Sequence, residues 1–158
     1  MSFQKILIAV DHSDLAQAVF GRGLELAQVC QAQIFLLHCL RSELGIDAAV
    51  SPVSVGMSDL GAYPRLLNNS VWEVQTQRQQ AIALLQNYCQ TASSLGIAVE
   101  FDYKTGEPGH CICQIAQDWQ ADLVIVGRRG LKGLTEAVLG SISNHVVHHA
   151  PCAVLVIQ

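Results

Sequence analysis

"KILIAVDHSD", Lys5–Asp14, is the stretch that decides the fold class. After Lys5 its residues are aliphatic or β-branched as far as Val10, which is typical of a strand buried on both faces of a sheet. The run ends at Asp11, and Ser13 is predicted to be the N-cap of a helix. The apolar residues of that helix recur on one face: Val19, Gly23, Leu26, Ala27 and Cys30. A buried strand that leads straight into a helix is the first half of a β-α-β unit.

The same alternation repeats along the rest of the chain. Strands are predicted at residues 5–10, 33–39, 97–103, 122–127 and 152–157. The intervening helices are predicted after Ser13, from about Ser70 to Leu95 with a stop at Gly96, around Ile112–Trp119, and over Ser141–Ala150 with a stop at Pro151. Strands that alternate with helices predict an α/β fold, in which helices cover both faces of a parallel sheet. We expect a single domain over residues 1–158.

Residues 41–69 interrupt this rhythm. They contain three glycines and two prolines and show no sustained apolar period. A connection of this length is uncommon in a compact domain, so we predict a long flexible loop with a functional role.

Composition excludes several classes of protein. The formal net charge is -4, which argues against binding nucleic acid through a basic surface. The longest apolar runs fall far short of the roughly 20 residues of a membrane-spanning helix, and no signal peptide is evident. We therefore expect a cytoplasmic protein with no membrane partner. The six cysteines form no C-x-x-C pair, which favours free thiols over a disulfide framework.

"VGRRGLKGLTEAVLGS", residues 126–141, is the stretch most suggestive of a binding site. It is neither a Walker A loop nor a dinucleotide fingerprint, because the spacing is Gly127-x-x-Gly130, nine residues, then Gly140-Ser141. Gly127 is predicted to let the chain leave its strand tightly, and Gly130 to allow backbone to approach a phosphate. Gly140-Ser141 opens a helix whose N–H groups favour an anion. Arg128, Arg129 and Lys132 could neutralise phosphate charge.

With this motif, "AVDHS" after the first strand and "TGEPGHCICQIA" at residues 105–116, the chain resembles the ATP-binding subgroup of the universal stress protein family. The resemblance covers nearly the whole chain. It implies a three-layer, doubly wound, Rossmann-like fold (adenine nucleotide alpha hydrolase-like), with five parallel strands in the order 3-2-1-4-5.

The resemblance also implies a ligand, which is ATP or another adenine nucleotide (ADP, AMP or cyclic AMP), and Mg²⁺ could accompany it. Asp11 would contact the ribose or adenine end, and the backbone near Cys39 and Leu40 would meet the adenine. The nucleotide-binding residues are then predicted to be Ala9, Val10, Asp11, Cys39, Leu40, Val126, Gly127, Arg128, Arg129, Gly130, Gly140, Ser141, Ile142 and Ser143. No protein metal ligand is predicted.

A homodimer is expected on two grounds. The resemblance implies one, and in the implied strand order the fifth strand is an edge of the sheet. Its residues Ala153, Val154, Leu155, Val156 and Ile157 are all apolar and carry no charge that would block pairing. Pairing with a second copy would satisfy this edge by two-fold symmetry.

Other interpretations remain open from the sequence. The glycines alone would fit turns and a helix cap, and the pair His145 and His149 fits a solvated helix face better than a metal site. Cys111 and Cys113 lie two apart on a helix and therefore point to different sides. The favoured function is a nucleotide-binding stress-response regulator without a catalytic constellation. The alternatives are a slow Mg²⁺-dependent ATPase and a nucleotide-free interaction protein that senses redox state through its cysteines.

Overall fold

The computed structural model describes residues 2–41, 63–128 and 139–158. In chain order the elements are β1 (Lys5–Ala9), α1 (Ala16–Cys30), β2 (Gln33–Leu40), α2 (Tyr63–Ser94), β3 (Val99–Thr105), α3 (Pro108–Asp118), β4 (Leu123–Gly127), α4 (Ser141–His149) and β5 (Ala153–Ile157). Each predicted strand begins and ends within two residues of an observed one. Among the described residues, no helix is long and apolar enough to cross a membrane.

The strands form one parallel sheet in the order β3-β2-β1-β4-β5, as expected. β1 lies at its centre and has no exposed face: Ile6, Leu7 and Ile8 are fully buried. Ile6 and Ile8 point to one side, where they pack with α1 and α2, and Leu7 points to the other, where it packs with α3 and α4. These contacts build the predicted three-layer sandwich.

One side chain joins β1 to β4 at the amino ends of the two strands. The carboxylate of Asp122 accepts the backbone N–H groups of Gln4 at 2.7 Å and of Lys5 at 3.2 Å. The backbone N–H of Asp122 in turn donates to the carbonyl of Lys5 at 3.0 Å. This fixes the register in which Ile6 lies beside Leu123.

The second helix begins earlier than predicted. α2 starts at Tyr63, so that residues 63–69, expected to be loop, have helical backbone. Pro64 is compatible with this because the first turn of a helix needs no N–H group at that position. The rest of the predicted loop, residues 42–62, lies outside the described residues. At its other end α2 stops where predicted: Gly96 has φ +75°, and Ile97 donates its N–H to Ala92 O at 3.2 Å, as in a Schellman cap.

Candidate functional site

A cleft of about 760 Å³ opens where β1, β2 and β4 end and where α4 begins. This is the point at which the strand order reverses direction, where open α/β sheets bind their ligands. The volume falls within the range of small-molecule sites. Eleven of the predicted residues line the cleft: Ala9, Val10, Asp11, Cys39, Val126, Gly127, Arg128, Gly140, Ser141, Ile142 and Ser143.

Three predicted residues are not among those that line the cleft. Leu40 is the first, and its carbonyl accepts the N–H of Gly106 at 2.9 Å, which ties the end of β2 to the turn before α3. Arg129 and Gly130 lie outside the described residues, as does Lys132. A further cation, Arg41, lines the cleft immediately after β2 and was not predicted.

The carboxylate of Asp11 is held in place at the end of β1. Its Oδ1 accepts the backbone N–H of Ser13 at 2.9 Å and also the Ser13 hydroxyl. The prediction that Ser13 caps α1 was therefore wrong: the helix begins at Ala16, and the N-cap position is Leu15. Ser13 instead belongs to a turn, in which its carbonyl accepts the N–H of Ala16 at 3.1 Å.

His38 is a buried polar residue that the sequence reasoning missed. Its imidazole is 4% exposed, and Nδ1 lies 2.8 Å from the carbonyl oxygen of Val10. Because a carbonyl can only accept, Nδ1 carries the proton. Burial lowers the pKa of His38, and the hydrogen bond to Val10 partly opposes this. A histidine inside the otherwise apolar run "QIFLLHC" was the available signal, since a buried polar group needs a partner.

Gly127 has a different role from the predicted one. Its φ is not in the left-handed region, so the turn after β4 does not require glycine. A β-carbon at this position would lie 3.0 Å from Leu15 Cδ2 and 3.1 Å from Val19 Cγ2. The glycine therefore leaves room for α1 to pack across the end of β4, which forms the floor of the cleft.

The first turn of α4 lines the cleft, and its backbone N–H groups have no partner within the helix. Gly140 is extended at the N-cap position, and no side chain among the described residues caps the helix. The backbone N–H groups at this end and the helix dipole favour an anion. The hydroxyl of Ser143, predicted to donate to a phosphate, is buried and donates to Gly140 O at 3.0 Å. Ser141 is exposed at the cleft edge.

Arg128 adds a cation to the lining of the cleft. Its backbone N–H donates to Ile157 O at 2.7 Å, which fixes the main chain between β4 and β5. Its side-chain Nε is buried and has no hydrogen-bond partner among the described residues. An unpartnered buried donor is costly, so a ligand that accepts from it would be stabilised.

The opposite wall of the cleft is apolar. It includes Leu37 from β2 and Pro108 and Ile112 from the start of α3, together with Cys39. An apolar wall facing a small number of polar groups is the usual composition of a small-molecule site. No group of three or more histidine, cysteine, aspartate or glutamate side chains that could hold a metal ion occurs within the part of the chain that the structure describes. The geometry therefore suits a ligand with a flat apolar part and an anionic part.

A family model and the curated proteins that resemble this chain point to the same family. The family model described as "Universal stress protein family" matches residues 2–158. Among curated proteins, universal stress protein Sll1388 of Synechocystis sp. is 38% identical over 158 residues, which cover 100% of this chain and 99% of that protein.

Solved structures of similar proteins share the fold. Universal stress protein UspA from Lactobacillus plantarum has a TM-score of 0.67 at 27% identity, covering 100% of this chain and 99% of its own. A universal stress protein in complex with cAMP has a TM-score of 0.66 at 19% identity, with 100% and 98% coverage. A family protein from Arabidopsis thaliana with AMP bound has a TM-score of 0.61 at 24% identity, with 98% and 90% coverage.

Proposed function

We propose that this chain, which belongs to the universal stress protein family, is a regulatory protein that binds an adenine nucleotide in the cleft between β1, β2 and β4. ATP is the nucleotide we expect. Two structural neighbours were solved with cAMP and with AMP, and both ligands contain adenosine and phosphate.

One observation carries the proposal: the start of α4 and Arg128 line the same cleft, and the structure as described gives neither the first turn of α4 a side-chain cap nor Arg128 Nε a hydrogen-bond partner. Charge-assisted hydrogen bonds to a phosphate would satisfy both sets of donors. The apolar wall near Cys39 and Ile112 would hold the base, and the fixed carboxylate of Asp11 would accept hydroxyl groups of the ribose. The ligand would thus run from the end of β2 to the start of α4.

The direct test is binding to protein shown to carry no co-purified nucleotide. Thermal unfolding is measured with ATP, ADP, AMP and cyclic AMP, with and without Mg²⁺, and inorganic triphosphate controls for phosphate alone. At about 100 times the dissociation constant, a ligand should raise the free energy of unfolding by about 2.7 kcal/mol. No stabilisation by any nucleotide, confirmed by calorimetric titration, would refute the proposal.

Two substitutions at the start of α4 distinguish the backbone N–H of Ser141 from its hydroxyl as donors to the phosphate of ATP. Ser141 is the first helical residue, where proline is tolerated because the N–H there has no partner within the helix. Ser141→Pro removes this N–H and the hydroxyl, whereas Ser141→Ala removes the hydroxyl alone. We expect the proline variant to weaken ATP binding more than the alanine variant while both keep the unfolding midpoint of the ligand-free protein. Equal affinity in all three proteins would exclude the start of α4 from the phosphate site.

We also propose that the protein is a homodimer joined through β5. Among the described strands β4 is the one neighbour of β5, and the residues of β5 from Val154 to Ile157 are half-buried rather than exposed. An uncharged apolar edge of this kind favours pairing with another strand, and a second copy of β5 would supply one by two-fold symmetry.

A further inference from the structure

The imidazole of His38 lies directly behind the wall of the cleft. Its two neighbours on β2, Leu37 and Cys39, both line the cleft. Because side chains alternate along a strand, His38 points to the other face of the sheet, where Leu36 packs with α1 and α2. His38 is buried there and is not among the described residues that line the cleft. Any effect of His38 on a ligand must therefore pass through other residues.

The first such residue is Val10, which directly precedes Asp11. The backbone N–H of Val10 donates to Leu37 O at 2.9 Å, which extends the pairing of β1 with β2 past the end of β1. The carbonyl of Val10 lies 2.8 Å from His38 Nδ1 and accepts its proton. Both polar groups of the Val10 backbone are thus tied to β2, one through its main chain and one through a side chain. Since a peptide unit is planar, a fixed Val10 carbonyl also fixes the direction in which the chain enters Asp11.

His38 also contacts the residue that follows Asp11. Its ring and that of the exposed His12 meet edge to face, with their centroids 5.1 Å apart. The chain is therefore held on both sides of Asp11, before it by a hydrogen bond and after it by a ring contact. The carboxylate belongs to the same turn of residues 10–13, because Asp11 Oδ1 accepts the N–H of Ser13 at 2.9 Å.

We propose that His38 is a positioning residue of the cleft, which holds the turn of residues 10–13 so that the Asp11 carboxylate is presented to the ribose hydroxyl groups of the bound ligand. The inference rests on the proposed nucleotide function, which gives Asp11 its ligand. Hydrogen bonds weaken steeply as their geometry departs from linear. The carboxylate can therefore select a ligand with ribose hydroxyl groups only while its own direction is fixed.

The test compares ATP with its dideoxy analogue, which lacks both ribose hydroxyl groups. Calorimetric titration gives the affinity for each, and their ratio measures the preference for the ribose. In the natural sequence ATP should bind about tenfold more tightly or better, as expected for hydrogen bonds to a charged group. Asp11→Ala should bring the ratio close to unity. Because burial lowers the pKa of His38, its imidazole is neutral at neutral pH, and neutral side chains are suitable replacements.

Variants of His38 separate its hydrogen bond from its bulk. His38→Asn places an amide N–H where Nδ1 lies, and it should keep the preference for ATP. His38→Gln places its amide where Nε2 lies, so this matched variant should lose most of the preference, as should His38→Leu, which has no polar group. The affinity of all three for the dideoxy analogue should equal that of the natural sequence, because its phosphate contacts are unchanged. A general loss of stability, in contrast, would weaken both ligands alike.

A second measurement examines the turn without any nucleotide. The N–H groups of Val10 and Ser13 are hydrogen-bonded to Leu37 O and to Asp11 Oδ1, so their hydrogen exchange, followed by NMR, reports whether the turn is held. Exchange at both should be faster in His38→Gln and natural in His38→Asn. Amides at the centre of β1 are the internal control and should not change in either variant.

Three results would each overturn the proposal. The first is a natural preference for ATP in both His38→Gln and His38→Leu, and the second is equal binding of ATP and the dideoxy analogue by the natural sequence. The third is unchanged exchange at Ser13 in His38→Gln. Failure of the natural sequence to bind any nucleotide is a different result: it would count against the proposed function, and the exchange measurement would still decide whether His38 holds the turn.

Discussion

At the scale of single residues, Arg128 combines a fixed backbone with a buried guanidinium Nε that has no hydrogen-bond partner in the part of the chain that the structure describes. In the ligand-free protein the buried Nε costs free energy, so Arg128→Met should leave the free energy of unfolding unchanged or raise it. If ATP binds as proposed, the same substitution also removes a charge-assisted hydrogen bond to its phosphate, and ATP affinity should fall by about tenfold to a hundredfold, since such bonds contribute about 1.5–3 kcal/mol.

Denaturant unfolding and calorimetric titration of the same preparations measure the two effects of Arg128→Met. Arg128→Lys is the control that keeps the charge. A variant that loses stability without losing ATP affinity would show that Arg128 has only a structural role.

His38 gives the protein a dependence on pH. Its pKa is lowered in the folded state mainly by burial and further by His12, whose ring centroid lies 5.1 Å from that of His38, while the hydrogen bond to Val10 and the charge of Asp11 partly oppose this. The neutral form is therefore the stable one: its contribution to stability is complete above the ordinary pKa of about 6.5 and is lost as the pH falls through the lower folded value.

We expect the unfolding midpoint to fall as the pH is lowered from 7.5 to 5, and to fall less in His38→Asn, whose amide can still donate to Val10 O but does not titrate. His110→Asn replaces an exposed histidine and is the control. Parallel pH profiles for His38→Asn and the natural sequence would contradict this prediction.

The site residues differ in how far the sequence could predict them. Gly140 and Ser141 were found because glycine and a helix start leave a recognisable spacing. Arg41, which lines the cleft, was missed, because whether a side chain just after a strand faces a cleft depends on register and on neighbouring strands. His38, which does not line the cleft, was missed because its partner, the carbonyl of Val10, comes from the chain just after β1. Gly127 lines the cleft, but the predicted reason for a glycine there was wrong, since the contacts that leave no room for a β-carbon come from Leu15 and Val19, more than a hundred residues earlier.

At the scale of elements, α1 contains two glycines in opposite environments. A β-carbon on Gly21 would meet nothing within 4 Å, whereas one on Gly23 would clash with the fully buried Ile8 of β1. Gly21→Ala should therefore stabilise the protein by about 0.5–1 kcal/mol through helix propensity. Gly23→Ala should destabilise it by about 1–3 kcal/mol, the usual cost of overpacking.

Urea unfolding of the two α1 variants measures both values, and each variant serves as the other's control. If both substitutions stabilised the protein, the packing of α1 on β1 would be looser than the structure indicates.

The prediction from sequence that Gly23 lies on the buried face of α1 is confirmed. The start of α2 was not predictable, because residues 63–69 show no apolar stripe that sets them apart from a loop.

At the scale of the whole molecule, the edge strand β5 is where a second copy is expected. In a strand, the N–H and the carbonyl of one residue point toward the same neighbouring strand, and successive residues alternate between the two sides. The carbonyl of Ile157 points toward β4, because it accepts the N–H of Arg128 just after that strand. By alternation, the N–H of Val154 points away from β4, toward the proposed partner.

Val154→Pro removes an outward N–H group without removing a bond to β4. We expect the molar mass in solution, measured by light scattering, to fall from that of a dimer toward that of a monomer. Val154→Ala, which keeps the N–H, is the control. A dimer that persists at the same concentration in Val154→Pro would place the interface elsewhere.

The fold as a whole followed from the sequence more completely than the site did. Alternating buried runs and amphipathic stretches define a parallel α/β sheet almost by themselves, and the observed strand order agrees with the one that the family resemblance implied. A cleft, in contrast, is made by residues from five separate parts of the chain, and two of its predicted members, Arg129 and Gly130, lie outside the described residues.

The bonds between Asp122 and the start of β1 also constrain the time at which the fold can be completed. They join residues 117 and 118 positions apart, and the strand that follows Asp122 is one of the two neighbours of the central strand. During synthesis, one edge of β1 therefore stays unpaired until β4 has left the ribosome. In this interval β1 is an apolar strand with an unpaired edge, which can pair with other chains. The growing chain is therefore most prone to aggregation just before the residues of β4 appear.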